Sequence, residues 1–169
     1  MIKYYLSKNA AILFVGINPH FGSYARGVPF SNNKMFWYLL SEAGIVNEPR
    51  EVLKDDKKLK KLYEGMSGKY RLNFINIIDK PTKNVSQLKK GEETLGVKRL
   101  NEVIKKKNPK VVCFIGKVTF AKFKGTNKFR FGLQGKSSNP IIYVMHFPIR
   151  GYASVRIKEL KEVKRLAGL

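Results

Sequence analysis

Six consecutive apolar residues, Ala10-Ala11-Ile12-Leu13-Phe14-Val15, run straight into Gly16-Ile17-Asn18-Pro19-His20. No other stretch limits the fold as tightly. A run this short that is rich in strand formers reads as a strand buried on both faces. Pro19 has no N–H to continue a ladder and pushes the residue before it toward extended geometry. The strand therefore ends abruptly and leaves the amide of Asn18 at its carboxyl edge, the edge at which open α/β sheets bind ligands.

Three more stretches fit the same sheet. Val111–Ile115 and Ile141–Met145 are short apolar runs, each followed by a Gly- or Pro-marked turn. Leu72–Ile78 alternates less cleanly, because Asn73 and Asn76 interrupt it. Helical spacing appears between them. Lys34–Ala43 groups Met35, Phe36, Leu39, Leu40 and Ala43 on one face, and Glu92–Lys107 does the same with Leu95, Leu100, Val103 and Ile104 before Asn108-Pro109 stops it. Arg156–Leu166 repeats the pattern with Ile157, Leu160, Val163 and Leu166. Glu48–Gly68 is dense in lysine and reads as a solvated helix or an irregular insertion, and Gly116–Ser138 as a basic, aromatic loop. Alternating strands and helices predict one α/β domain over residues 1–169. It is a three-layer α/β/α sandwich around a mostly parallel sheet of four to five strands.

The charge is lopsided: 34 Lys and Arg face 12 Asp and Glu, a net +22. That excess fits a polyanionic partner, and an aromatic content of 12% offers rings on which bases stack. The single Cys113 sits in an apolar run and reads as a small core residue. One cysteine excludes an internal disulfide and a four-cysteine zinc or iron–sulfur site. No signal-peptide pattern or membrane-length apolar run is present, so an intracellular protein without a membrane partner is expected.

Gly16-Ile17-Asn18-Pro19 is followed by Gly27-Val28-Pro29-Phe30, then by Phe36-Trp37 and Glu42-Ala43-Gly44. At this joint spacing the chain resembles the mismatch-specific uracil/thymine-DNA glycosylases of the uracil-DNA glycosylase superfamily. Asn76-Ile77-Ile78-Asp79-Lys80-Pro81-Thr82 is similar to its hydrophobic–acidic–basic segment. Asn108 to Lys117, ending in Gly116-Lys117, is similar to its fourth motif.

The resemblance implies roles. Asn18 holds the attacking water, and Phe30 stacks on an extruded base. Tyr24 crowds the pyrimidine C5 edge, Asn76 reads the base, and the backbone amides of Ile17 and Phe30 address it. Lys117, Lys122, Lys124 and Arg150 contact phosphates. The second half of the site falls on Met145 to Ser154, where the family carries a Pro/Ser-rich loop. This chain departs from it: the small serines are missing, and His146 opens the loop as His-Phe-Pro. His146 stabilises the departing base, touches a phosphate or is structural. Arg150, or alternatively Tyr152, fills the gap left by the flipped nucleotide. His20 stands where the family has glycine.

The expected activity is a monofunctional DNA glycosylase. It would hydrolyse the N-glycosidic bond of uracil, with thymine second, in mismatched double-stranded DNA by base flipping, leaving an abasic site. The expected enzyme is a monomer needing no metal or organic cofactor. The alternatives are a relative acting on deaminated purines (hypoxanthine or xanthine) and a DNA-binding homologue with weak catalysis.

Overall fold

The computed structural model describes residues 1–135, 138–149 and 151–169. Five strands form one sheet in the order β2-β1-β3-β5-β4. They are β1 (Ile12–Gly16), β2 (Leu72–Asn76), β3 (Val111–Ile115), β4 (Gly132–Gln134) and β5 (Ile141–Met145). The first, second, third and fifth run parallel, and β4 is antiparallel to β5 at the edge. Seven helices are described: α1 (Phe21–Arg26), α2 (Met35–Glu42), α3 (Arg50–Lys54), α4 (Asp56–Lys69), α5 (Glu93–Lys107), α6 (Lys117–Lys124) and α7 (Ala153–Ala167). None is long and apolar enough to cross a membrane.

The period-2 geometry of a strand sorts the core into two layers. Ile12 and Phe14 of β1, Cys113 of β3 and Tyr143 of β5 face the layer built with α2, α4 and α7. Leu13, Val15, Val112, Phe114 and Val144 face the opposite layer, built with α5 and α6. Both faces are covered, so the strands read as unbroken apolar runs rather than alternating ones. The three-layer α/β/α sandwich is thus the observed fold.

Two local expectations need correction, and for a third the structure selects the helical alternative. Gly116–Ser138 is not a loop: it holds α6 and β4. Phe120 and Phe123 of α6 pack on Phe114, at 4.9 and 4.7 Å between ring centroids, and the lysines between them disguised that apolar stripe. The three-residue β4 is too short to show a period. The charged Glu48–Gly68 stretch becomes α3 and α4. Leu59, Tyr63 and Met66 put a buried stripe on α4, and its lysines take the solvent side. Leu95 was grouped with the core face of α5, yet it is 80% exposed. That face points to solvent near the N-terminus of the helix, and Leu100 takes the buried position.

The order of the strands places the site. From β1 the chain crosses to β2 on one side and later to β3 on the other. The reversal opens a crevice at the carboxyl ends of β1 and β3, where doubly wound sheets hold ligands. Gly16, Asn76, Ile115 and Met145 end their strands along this one edge.

Candidate active site

At the end of β1, Gly16 pairs in register with Asn76 of β2. A Cβ on Gly16 would lie 2.3 Å from Cε1 of Phe30 and 2.5 Å from Oδ1 of Asn76. The missing side chain is what lets an aromatic ring and an amide converge on the strand end.

Phe30 is held there by residues of its own motif. Its backbone has φ +56°, a left-handed conformation that is costly for a bulky residue. The turn is clamped on both sides of it. Trp37 donates its indole N–H to the Pro29 carbonyl at 2.9 Å, and the Ser31 backbone N–H donates to Ser23 Oγ at 3.0 Å. Arg26 also donates to the Ser31 carbonyl, at 2.6 Å. Phe36 meets the Phe30 ring edge-on at 5.2 Å. The Gly-x-Pro-Phe and Phe-Trp spacing therefore has a physical meaning. One turn of α2 supplies an indole donor for the backbone before Phe30 and a ring for its side chain.

Asn18 lies two residues beyond β1. Its Nδ2 donates to Thr82 Oγ1 at 2.8 Å and to the Lys80 carbonyl at 3.0 Å, with a longer contact of 3.4 Å to the Pro19 carbonyl. Carbonyls only accept, so these partners fix which way the amide points. Oδ1 is left without a partner among the described residues. Thr82 is in turn anchored by Pro19, whose carbonyl accepts its backbone N–H at 3.1 Å. Sequence reading quoted Thr82 within a motif but gave it no role.

Two amides on β2 make an internal control. Asn73 and Asn76 are each 1% exposed. Asn73 is satisfied by the N-terminal segment: its Oδ1 accepts from the Ser7 backbone N–H at 3.1 Å, and its Nδ2 donates to the Ser7 carbonyl at 2.9 Å. Asn76 has neither its Nδ2 nor its Oδ1 hydrogen-bonded among the described residues. Its backbone is tied down all the same, since Arg99 donates to the Asn76 carbonyl at 2.7 Å and pairs with Asp79. The Tyr4 hydroxyl donates to Asp79 at 3.1 Å. Burial first, and then the Asp79 charge, push Tyr4 far above the ordinary tyrosine range, so it remains a donor.

His20 takes a structural place, as the N-cap of α1, where its Nδ1 accepts the Gly22 backbone N–H at 3.2 Å. Tyr24 lies half-buried on α1, and Ile17 is buried beside the end of β1.

The opposite half of the edge is built from charge. His146 follows β5, two strand spacings or roughly 10 Å from the line of β1. Its Nδ1 lies 2.5 Å from Glu159 Oε1, its backbone N–H donates to Glu159 Oε2 at 3.0 Å, and Phe131 stacks on the ring at 3.6 Å and 19°. Arg156, 3% exposed, donates through Nε to the Phe147 carbonyl at 2.6 Å and through Nη1 to the Tyr152 carbonyl at 2.7 Å. The loop after β5 is thereby folded around a buried guanidinium. Phe147, Ile149 and Tyr152 stand outward from it, Tyr152 at 83% exposure. Arg150 lies outside the described residues.

Arg156, Glu159 and Phe131 were missed from sequence. A signal for the first two exists: they fall at i and i+3 on the stripe of α7 that also carries Leu160 and Val163. Charges on an apolar stripe are rarely buried without a partner.

The lysines differ. Lys117 and Lys124 are exposed, with ammonium groups 5.9 and 5.6 Å from the Phe129 and Phe120 rings. Lys122 is turned to α5, paired with Glu93 at 3.0 Å.

The arrangement is a crevice at a sheet edge with a ring, a buried amide and an amide oxygen that have no hydrogen-bond partner among the described residues, and a basic, apolar-tipped rim. The family profile of the uracil DNA glycosylase superfamily matches residues 3–157. Nearly the whole chain is covered, and the protein belongs to this superfamily of DNA glycosylases, hydrolases that act on DNA.

Proposed function

We propose that the protein removes uracil, and less efficiently thymine, from mismatched double-stranded DNA, leaving an abasic site. The observation that carries this reading is the buried amide of Asn76, without a hydrogen-bond partner among the described residues, beside the Phe30 ring. An unpaired buried amide costs about 1–3 kcal/mol, and its neighbour Asn73, equally buried, is fully paired. A flipped pyrimidine resolves the difference. Uracil offers O4 to the amide N–H and its N3–H to the amide oxygen, while its face stacks on Phe30.

The chemistry follows from Asn18. As the C1′–N bond lengthens, the sugar gains oxocarbenium character and the base gains negative charge. Both partnered directions of the Asn18 Nδ2 go to the protein, so Oδ1 is the end that orients a water below C1′. An amide cannot take the water's proton, which makes the catalyst a positioning one, favouring good leaving groups. Water as nucleophile leaves the DNA backbone intact. Phe147, Ile149 and Tyr152, outward on the loop after β5, are apolar groups suited to the vacated stack. Lys117 and Lys124 are placed for phosphates.

Hypoxanthine presents the same acceptor-and-donor edge through O6 and N1–H, and is the second reading. Excision from U·G, U·A, T·G, hypoxanthine and single-stranded uracil substrates, by wild type and Asn76→Ala, separates the two. Fast, Asn76-dependent loss of uracil supports the first. Release of hypoxanthine alone replaces it with the second, and tight binding to abasic DNA without turnover on any substrate refutes both.

A further inference from the structure

We propose that Arg99 on α5 is a positioning residue, which holds the Asn76 amide at the point where a flipped base meets it. This rests on the reading above, in which Asn76 reads the base.

β2 is the outermost strand on its side of the sheet, and among the described residues no further strand pairs with its free edge. The peptide between Asn76 and Ile77 is nevertheless held from both sides. Its N–H, that of Ile77, donates to the Gly16 carbonyl at 2.9 Å, and its carbonyl accepts from Arg99 Nη2 at 2.7 Å. The next peptide repeats the arrangement. The Ile78 N–H donates to the Ile17 carbonyl at 2.8 Å, and the Ile77 carbonyl lies 3.2 Å from the same Nη2. One guanidinium nitrogen stands in for the missing strand.

Arg99 is itself placed by close approach and by charge. Gly96, one helical turn before it, meets the same stretch of backbone: a Cβ there would lie 1.8 Å from the Ile77 carbonyl oxygen. Only glycine lets α5 come this near. Residues three apart share a helix face, which brings Arg99 over the strand end. Asp79 pairs with the guanidinium, accepting from Nη2 at 3.0 Å, and it also accepts from the Tyr4 hydroxyl at 3.1 Å. The hydrogen bond to Asp79 outweighs burial and keeps Arg99 a cation.

Asn73 and Asn76 differ in what orients their amides. Asn73 is oriented by its own hydrogen bonds to Ser7. The Asn76 amide has none among the described residues, so its place depends on its backbone and on contact with its neighbours. A polar group works on a bound base only when it is already in position, and an error of about 1 Å can cost about 10²-fold in rate. Arg99 therefore acts on excision through Asn76 rather than on the base.

A double-substitution cycle tests this by single-turnover excision from a U·G duplex at saturating enzyme. Arg99→Met should slow excision about tenfold in the wild-type background, and by no more than about twofold in Asn76→Ala. An equal loss in both backgrounds overturns this inference alone. A wild-type rate in Asn76→Ala removes the reading of that amide, and this inference with it. Arg71→Met is the control, since it removes the same charge and a guanidinium bond to the Asn9 carbonyl, at 3.1 Å, just before β2 begins. It should leave the rate within about twofold of wild type. A loss matching that of Arg99→Met would show general weakening of the strand and overturn the proposal; this comparison decides if Asn76→Ala is too slow to measure. Should Arg99→Met fail to fold, Arg99→Lys keeps a charge for Asp79 but loses the guanidinium fork, and goes through the same cycle with a smaller loss expected. Hydrogen exchange at the Ile77 and Ile78 amides should quicken in either Arg99 variant while Leu13–Val15 stay protected. Unchanged exchange at Ile77 and Ile78 overturns the clamp.

Discussion

The two halves of the crevice are built by opposite means. Around β1 and β2 the site is set by packing, because Gly16 leaves room for Phe30 and Asn76, and Trp37 and Phe36 lock the turn that carries the ring. Around β5 it is set by buried charge, with Arg156 and Glu159 reaching from α7 to hold the loop and its histidine. The packed half is rigid because each ring is fixed by several others. The charged half depends on a few hydrogen bonds that each matter. In the proposed reading the first half grips a base, while the second sets loop shape and the charge that meets the DNA.

The contrast can be broken by substitution. The largest effect should come from Asn18→Ala, which removes the oriented oxygen. Single-turnover excision should drop about 10²–10³-fold, on the scale of losing one preorganised polar group, while affinity measured by fluorescence anisotropy on an uncleaved duplex stays within about twofold. Strong loss of affinity at a normal rate would make Asn18 a scaffold residue instead.

Removing charge from the other half should act through order. Arg156→Met strips the hydrogen bonds to the Phe147 and Tyr152 carbonyls, each bond to a charged group being worth about 1.5–3 kcal/mol. Hydrogen exchange should rise across residues 146–152 and not across 28–31. Equal loosening of both segments would show that the two halves are not independent.

Phe30→Leu keeps an apolar filler but removes the stacking face. It should weaken the bound, flipped state by about 1–3 kcal/mol, read as a raised KM with thermal stability nearly unchanged. Trp37→Phe should do the reverse, leaving the buried Pro29 carbonyl unpaired at a cost of about 1–3 kcal/mol in folding stability, seen by denaturant titration.

The smallest effects belong to the rim. Lys124→Ala should lower the slope of log affinity against log salt by about 0.9 if it meets one phosphate. Lys122→Ala, already paired with Glu93, should change the slope by less. Equal changes would place Lys122 on the DNA.

Much of the packed half was legible in sequence because its determinants are close together in the chain. The run before Gly16, the Pro29-Phe30 turn and Phe36-Trp37 fall within 28 residues, Ala10 to Trp37. Their strand and helix periods are those of ordinary buried elements. Asn73 and Asn76 looked alike as interruptions of β2. Their difference lies in Ser7, which reaches one and not the other.

The sequence by itself determined the sandwich, because continuous apolar strands alternating with amphipathic helices have few ways to bury both surfaces. It also put Asn18 at a strand end, through Pro19. Tertiary structure decided which polar groups are spent and which stay free. Thr82 and the Lys80 carbonyl orient Asn18, and Glu159 holds both the backbone N–H and the ring of His146. Hydrogen-bond partners far apart in sequence carry no periodic signature, and only the folded chain brings them within 3 Å.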